Sequence, residues 1–196
     1  MSLIGSDVAT AVTLSAEATR RIEEIIARYP TPRAAMLPVL WIVQGELGWI
    51  SPETMEWVGN RLGCSAASVE AVVGFYTMFD AAPVGKYKLQ VCRTLSCELM
   101  GARKVINHLR ERLGIESGDT TEDRMFTLQE VECLGSCGTG PLLQCNFQYH
   151  ENLTPERVDA LLDELCGSEP TDDVTPIIHE RPSPDAYREM FPAGGR

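Results

Sequence analysis

Four of the seven cysteines fall in two tight pairs, Cys92-Arg-Thr-Leu-Ser-Cys97 and Cys133-Leu-Gly-Ser-Cys137. A pair spaced this way lets one loop supply two ligands to a metal centre. Structural zinc takes four thiolates at such spacings. A [2Fe–2S] cluster also takes four, two on each iron. Spacing alone leaves these two chemistries level. A thiol–disulfide enzyme is disfavoured, because the Cys-x-x-Cys motif it uses is absent from the chain. The plant-type ferredoxin run is absent as well, since Met100 stands where its third cysteine belongs. No four cysteines lie close enough together for a bacterial two-cluster run.

The residues between and after the pairs suit an anionic sulfur centre. Gly135, Gly138 and Gly140 let the second loop turn sharply and present backbone N–H groups to sulfur. Thr94 and Ser96 add hydroxyl donors. Cys97 is expected just ahead of a helix starting near Glu98, whose positive end favours a thiolate. Cys64, Cys145 and Cys166 read as ordinary small hydrophobic or surface residues. Cys145, eight residues past Cys137, is the one candidate for a ligand swap. His108, His150 and His179 are scattered and read as surface residues without a catalytic partner. No phosphate loop, nucleotide fingerprint or nucleophile elbow occurs, so this chain alone is expected to bind neither NADH nor flavin.

The elements that must position the cysteines follow from hydrophobic periodicity. Ser15 caps a helix with Ile22, Ile25, Ile26 and Tyr29 on one face. A second helix is expected over 33–46 and a third after Ser51-Pro52, with Met55, Val58 and Leu62 as its stripe and Gly63 as its stop. A fourth runs from about Ser65 to Val73. After a linker at 81–85 the period changes. Tyr87, Leu89 and Val91 alternate with Lys88, Gln90 and Cys92, which predicts a strand over 86–92. A helix over 98–113, strands over 125–131 and 141–147, and a last helix from Thr154-Pro155-Glu156 complete an α+β order compatible with a small thioredoxin-like sheet. Each cysteine pair then begins where a strand ends. The expected organisation is a helical bundle over 1–82, a sheet domain over 83–167 and a Pro-rich acidic tail over 168–196, disordered or bound to a partner.

With 196 residues, 44% of them hydrophobic, the chain can bury a core without staples. A net charge of −11 disfavours nucleic-acid or anionic-membrane partners, which need a basic face. No apolar run approaches the ~20 residues of a membrane span. The first residues, MSLIGSDVATAV, carry no basic residue before a weakly apolar run and do not read as a secretory signal. A cytoplasmic protein is expected, and clustered cysteines there point to metal or redox work.

The segments Val91–Cys97 and Val131–Pro141, with Phe75-Tyr76-Thr77-Met78-Phe79 and 151–156 (ENLTPE), resemble the E-subunit family of NADH:quinone oxidoreductase, respiratory complex I. The resemblance covers about residues 15–166. It implies an N-terminal helical bundle followed by a thioredoxin-like [2Fe–2S] ferredoxin domain, with Cys92, Cys97, Cys133 and Cys137 in the ligand positions. It also implies docking on a flavin-bearing, NADH-oxidising F subunit in the peripheral arm of a membrane-bound complex, where the cluster exchanges single electrons with FMN. Two departures stand out. The family more often has Ala at the position of Gly140, so the second loop is expected to be looser. It often has Asn-Asp near Cys145-Asn146, which puts the surroundings of Cys145 in question. Three other readings stay open: the equivalent diaphorase small subunit of an NAD-linked hydrogenase or formate dehydrogenase, a free-standing thioredoxin-like ferredoxin, and a zinc-stapled interaction module without redox work.

Overall fold

The structure, a computed structural model, describes residues 12–167. The expectations for the tail 168–196 and for His179 lie outside the described residues.

The first half is helical. Three serines in extended backbone conformation cap three helices: Ser15 accepts the Ala18 N–H before α1 (Ala16–Ile26), Ser51 that of Thr54 before α3 (Pro52–Leu62), and Ser65 that of Ser68 before α4 (Ala66–Phe75). Each such cap is worth about 1 kcal/mol. The helix expected over 33–46 is instead a 3-10 turn, Pro32–Ala35, leading into α2 (Met36–Leu47). Pro38 thereby falls in the first turn of α2, where a missing N–H leaves no intrahelical bond unmade. Ile22, Leu40, Val43, Ile50, Val58 and Val69 are fully buried at the centre of this half.

The second half is a four-stranded sheet in the order β2-β1-β3-β4, from β1 (Tyr87–Cys92), β2 (Phe126–Val131), β3 (Leu143–Cys145) and β4 (Gln148–His150). β1 and β2 run parallel, and the other pairs are antiparallel. A parallel pair needs a crossover, here supplied by α5 (Leu95–Leu99) and α6 (Ala102–Leu113). α7 (Pro155–Gly167) closes the order. Leu89, Val91, Ile106, Leu109, Leu128, Leu143 and Val158 form the buried core of sheet and helices.

Two expected elements are each divided. The helix expected over 98–113 breaks at Gly101, whose φ of +104° no side-chain-bearing residue adopts without strain, leaving α5 and α6 as separate helices. The strand expected over 141–147 is a hairpin, β3 and β4, turning at Asn146 with φ +52°. Asn146 also extends the pairing to β1: its side chain accepts the Lys88 N–H at 2.9 Å, and its N–H donates to the Lys88 carbonyl at 3.0 Å.

The two halves are joined by a short chain of polar and aromatic contacts. Lys88 on β1 pairs with Asp80 at 2.5 Å, and both side chains are nearly buried, at 11% and 12% exposure. Asp80 is itself held to the bundle. Its N–H donates to Gln44 Oε1 at 2.8 Å, and its carbonyl accepts the Ile50 N–H at 2.8 Å. Trp41 of α2 meets Phe79 at 5.7 Å and Phe147 of the hairpin turn at 5.5 Å between ring centroids. Removing one member of a buried ion pair leaves the other charge uncompensated. Asp80→Ala is therefore expected to lower stability in urea unfolding by roughly 3 kcal/mol. The double replacement Asp80→Leu with Lys88→Met is expected to recover most of that loss.

Candidate metal centre

β1 and β2 pair in register to their ends, with Cys92 opposite Val131. The two chains therefore leave the sheet at the same edge, and the loops that carry Cys97, Cys133 and Cys137 start side by side. All seven cysteines are free thiols. Cys92 and Cys97 are 1% exposed, against Ala102 and Leu142, with Leu134 packed on them. Cys133 and Cys137 are exposed. Cys97 is the third residue of α5 rather than the residue before a helix, because α5 starts at Leu95.

The four thiols form two pairs that sense one another. Cys133 Sγ lies 3.6 Å from Cys137 Sγ. Metal–sulfur bonds of about 2.3 Å at a tetrahedral angle put two thiolates ~3.8 Å apart. Cys92 and Cys97 shift one another's titration in opposite directions, and Cys92 acts electrostatically on Cys133 and Cys137. Two adjoining pairs of thiols, each on its own loop, make a donor set for a thiolate-bound metal centre.

Each sulfur has donors, and most of them cross between the loops. The second loop serves the first: the Leu134 N–H reaches Cys92 and the Leu142 N–H reaches Cys97. The hydroxyl residues of the first loop act on the second, Thr94 lowering the Cys133 thiol and Ser96 opposing the rise of Cys137. Within the second loop the Gly135 N–H donates to Cys133 Sγ at 3.4 Å. Thr94 Oγ1 also lies 3.1 Å from Cys92 Sγ.

These contacts split each pair. Burial pushes the Cys92 thiol up, but the hydroxyl and N–H of Thr94, the Leu134 N–H and Cys97 outweigh it and leave the thiol below its ordinary value. Burial, reinforced by Cys92, drives Cys97 up to about 11. The Gly135 N–H, with Cys137 and Thr94, pulls Cys133 down, and Cys133 in turn raises Cys137. Within each loop one thiol is thus more acidic than its neighbour, which holds its proton more tightly. A bound cation removes that second proton, since metals take the deprotonated ligand.

The segment after β4 clamps the second loop. Ser136 and Thr139 hydroxyls both donate to Glu151 Oε1 at 2.5 Å. The Asn152 N–H donates to the Thr139 carbonyl at 2.8 Å, and the Leu153 N–H to the Pro141 carbonyl at 2.9 Å. Tyr149 donates its hydroxyl to the Leu134 carbonyl at 2.6 Å. At Gly140 a Cβ would stand 3.3 Å from Cys97 Sγ, closer than ordinary contact, so a side chain here would press on that sulfur.

Other candidates are placed elsewhere. Cys145 lies in the core between sheet and helices, opposite Leu89, and burial raises its thiol to about 11. That position separates it from the Cys92–Cys97 cluster of buried residues and does not suit a ligand swap. Cys64 packs on the helical core and Cys166 is exposed. His108 is not an unpartnered surface residue: its Nε2 lies 2.9 Å from Asp159 Oδ1, which Arg112 also contacts at 3.0 Å. His150 is half-buried, and burial lowers its pKa. The backbone donors Leu134 and Leu142 left no trace in residue type. Glu151 did leave one, since it opens the segment that carries part of the family resemblance.

Comparison with known proteins places this site in context. The family model for the thioredoxin-like [2Fe–2S] ferredoxin matches residues 22–166. NADH-quinone oxidoreductase subunit 2 of Thermus thermophilus is 46% identical over 144 residues, 72% of this chain and 80% of that protein. The E 2 subunit of NADH-quinone oxidoreductase from Rhizobium meliloti is 42% identical over 148 residues, 76% of this chain and 88% of that protein. Among solved structures, an NAD+-reducing [NiFe]-hydrogenase in the H2-reduced state shares the fold with a TM-score of 0.62 at 20% identity, over 71% of this chain. This chain spans about a quarter of that hydrogenase chain, 24% of its length.

The clamp is open to a direct test. Hydrogen bonds from Ser136 and then Thr139 hold the Glu151 carboxyl below its ordinary value of 4.5. A depressed carboxylate contributes stability that is full above its unfolded value and is lost as pH falls through the folded one. Glu151→Gln is expected to speed amide hydrogen exchange across 133–140 several-fold near neutral pH. The difference from wild type should vanish as the pH falls through the folded value, below 4.5.

Proposed function

The chain belongs to the thioredoxin-like [2Fe–2S] ferredoxin family, and we propose that it holds one [2Fe–2S] cluster on Cys92, Cys97, Cys133 and Cys137 as the small electron-transfer component of an NADH:quinone oxidoreductase. The observation that carries this reading is the cage itself: two thiol pairs at one sheet edge, each sulfur met by an N–H or hydroxyl donor from the facing loop or its own. The relatives named for NADH-quinone oxidoreductase, aligned over most of their length, support the assignment to that complex.

When bound, such a cluster supplies a one-electron carrier whose potential depends on hydrogen bonds to sulfur and on solvent exposure. The residues of this chain set both. The Leu134 and Leu142 amides reach the buried pair, and Ala102 and Leu142 exclude water from it. Cys133 and Cys137 stay exposed and define the face at which a redox partner can approach. Beside them α5 and its C-cap present Leu95, Leu99 and Met100, at 74%, 77% and 62% exposure. That apolar rim suits docking on a protein surface, and the partner in this reading is the flavin-bearing, NADH-oxidising F subunit, with FMN and NADH bound there. The chain then sits in the peripheral arm of the complex. No helix among the described residues is long and apolar enough to cross a membrane.

A protein of this kind, purified without oxygen from iron-replete cells, is expected to be red-brown, with about two irons per chain and an electron paramagnetic resonance signal on reduction. A colourless protein holding one zinc would overturn the reading. Cys92→Ser and Cys133→Ser are each expected to strip most of the iron, whereas Cys64→Ser keeps it; equal loss in all three would refute the ligand set. Leu99→Lys is expected to leave iron content unchanged and to weaken co-purification with the flavoprotein partner at least tenfold, read by titration of the isolated subunits.

A further inference from the structure

We propose that Thr94 is a positioning residue for electron transfer: its hydroxyl, turned away from the helix it precedes, meets the sulfur of Cys92 and makes the centre easier to reduce. This rests on the cluster reading above.

Thr94 occupies the N-cap position of α5, in extended backbone conformation with φ −77° and ψ 166°. A threonine there normally accepts an N–H of the first turn. The Thr94 side chain makes no such bond. Its oxygen instead lies 3.1 Å from Cys92 Sγ. Cys92 belongs to the buried pair, where water competes little for that contact. The helix start does not depend on it, because the Glu98 N–H already donates to the Thr94 backbone carbonyl at 2.9 Å.

The chemistry has a definite direction. A ligated sulfur carries no proton, so the hydroxyl must donate to it. Reduction adds one electron and no proton, and part of the added negative charge falls on the sulfurs. A donor aimed at those sulfurs stabilises the reduced form more than the oxidised one. Hydrogen bonds to charged acceptors are about twice as strong as neutral ones, and this one lies in a partly water-excluded site. The methyl group of Thr94 has no part in this effect.

Serine and valine substitutions separate hydroxyl from methyl. The full-length protein, loaded with cluster, is titrated with dithionite and redox mediators while the reduced signal is followed by electron paramagnetic resonance. At the wild-type midpoint, Thr94→Val is expected to lower the ratio of reduced to oxidised centre roughly tenfold, equivalent to about 59 mV for one electron. Thr94→Ser should stay within about twofold of wild type. A valine variant that titrates like wild type, or a serine variant that falls as far as valine, overturns the proposal. Pulsed resonance of the reduced wild type in heavy water provides a check without substitution. A strongly coupled exchangeable deuteron is expected in wild type and in Thr94→Ser, and its absence from both overturns the proposal even if the valine variant fails to load. A wild-type protein that takes up no cluster defeats the functional reading instead, before Thr94 is tested.

Discussion

The parallel pairing of β1 with β2 is the constraint on which the site depends. Parallel strands end at the same edge, and the register carries that pairing through Cys92 and Val131. Antiparallel strands would have sent the two cysteine loops to opposite edges. The crossover that parallel pairing requires is filled by α5 and α6, which puts the short helix bearing Cys97 directly against the second loop. Leu89, Val91 and Leu128 hold the pair from below by burial. Each buried Leu or Val is worth about 1.5–3 kcal/mol relative to exposure. The chemistry at the edge is thus anchored by apolar packing in which none of the four paired cysteines takes part.

Given that edge, the proposed centre has to gather four sulfurs that would become negative on binding metal. Thiolates driven together would repel and bind protons instead: Cys133 raises Cys137, and Cys92 adds to the effect of burial on Cys97. The exchange of donors between the loops answers this. Amides from the second loop meet the first loop's sulfurs, and hydroxyl residues of the first act on the second's. Neither loop can drift away without leaving the other's sulfurs poorly solvated, so the two are stabilised as a unit. Glu151 then fixes the more exposed loop from outside, through Ser136 and Thr139.

Much of this was legible in the residues. The paired cysteines, the loop glycines, the serine caps and the change of hydrophobic period at 86–92 all mark their elements directly. What stayed hidden depends on partners distant in sequence or on the backbone. Leu134 and Leu142 read as apolar residues, yet their amides matter to Cys92 and Cys97. His108 and Asp159 are 51 residues apart, and nothing local announces that they meet. The break at Gly101 was obscured because glycine inside a helical pattern is tolerated at a cost of about 1 kcal/mol. The hairpin at Asn146 was obscured because β3 and β4 have only three residues each, too few to show a period of two.

The unequal exposure of the two pairs follows from two opposed demands. Burial protects a metal–sulfur centre from water, but an electron carrier must be reached by its partner. Burying all four sulfurs would move the centre away from any docking surface, and exposing all four would leave it open to solvent. Cys92 and Cys97 meet the first demand, and Cys133 and Cys137 the second. The rim of the exposed side is apolar rather than charged, although the chain carries a net −11. Charges on a surface are screened within about 8 Å at physiological salt. They can speed an encounter, but they do not hold a fixed short distance. Leu95, Leu99 and Met100 can do so by losing water against a complementary surface, and their place on the helix that carries Cys97 ties that contact rigidly to the sulfurs.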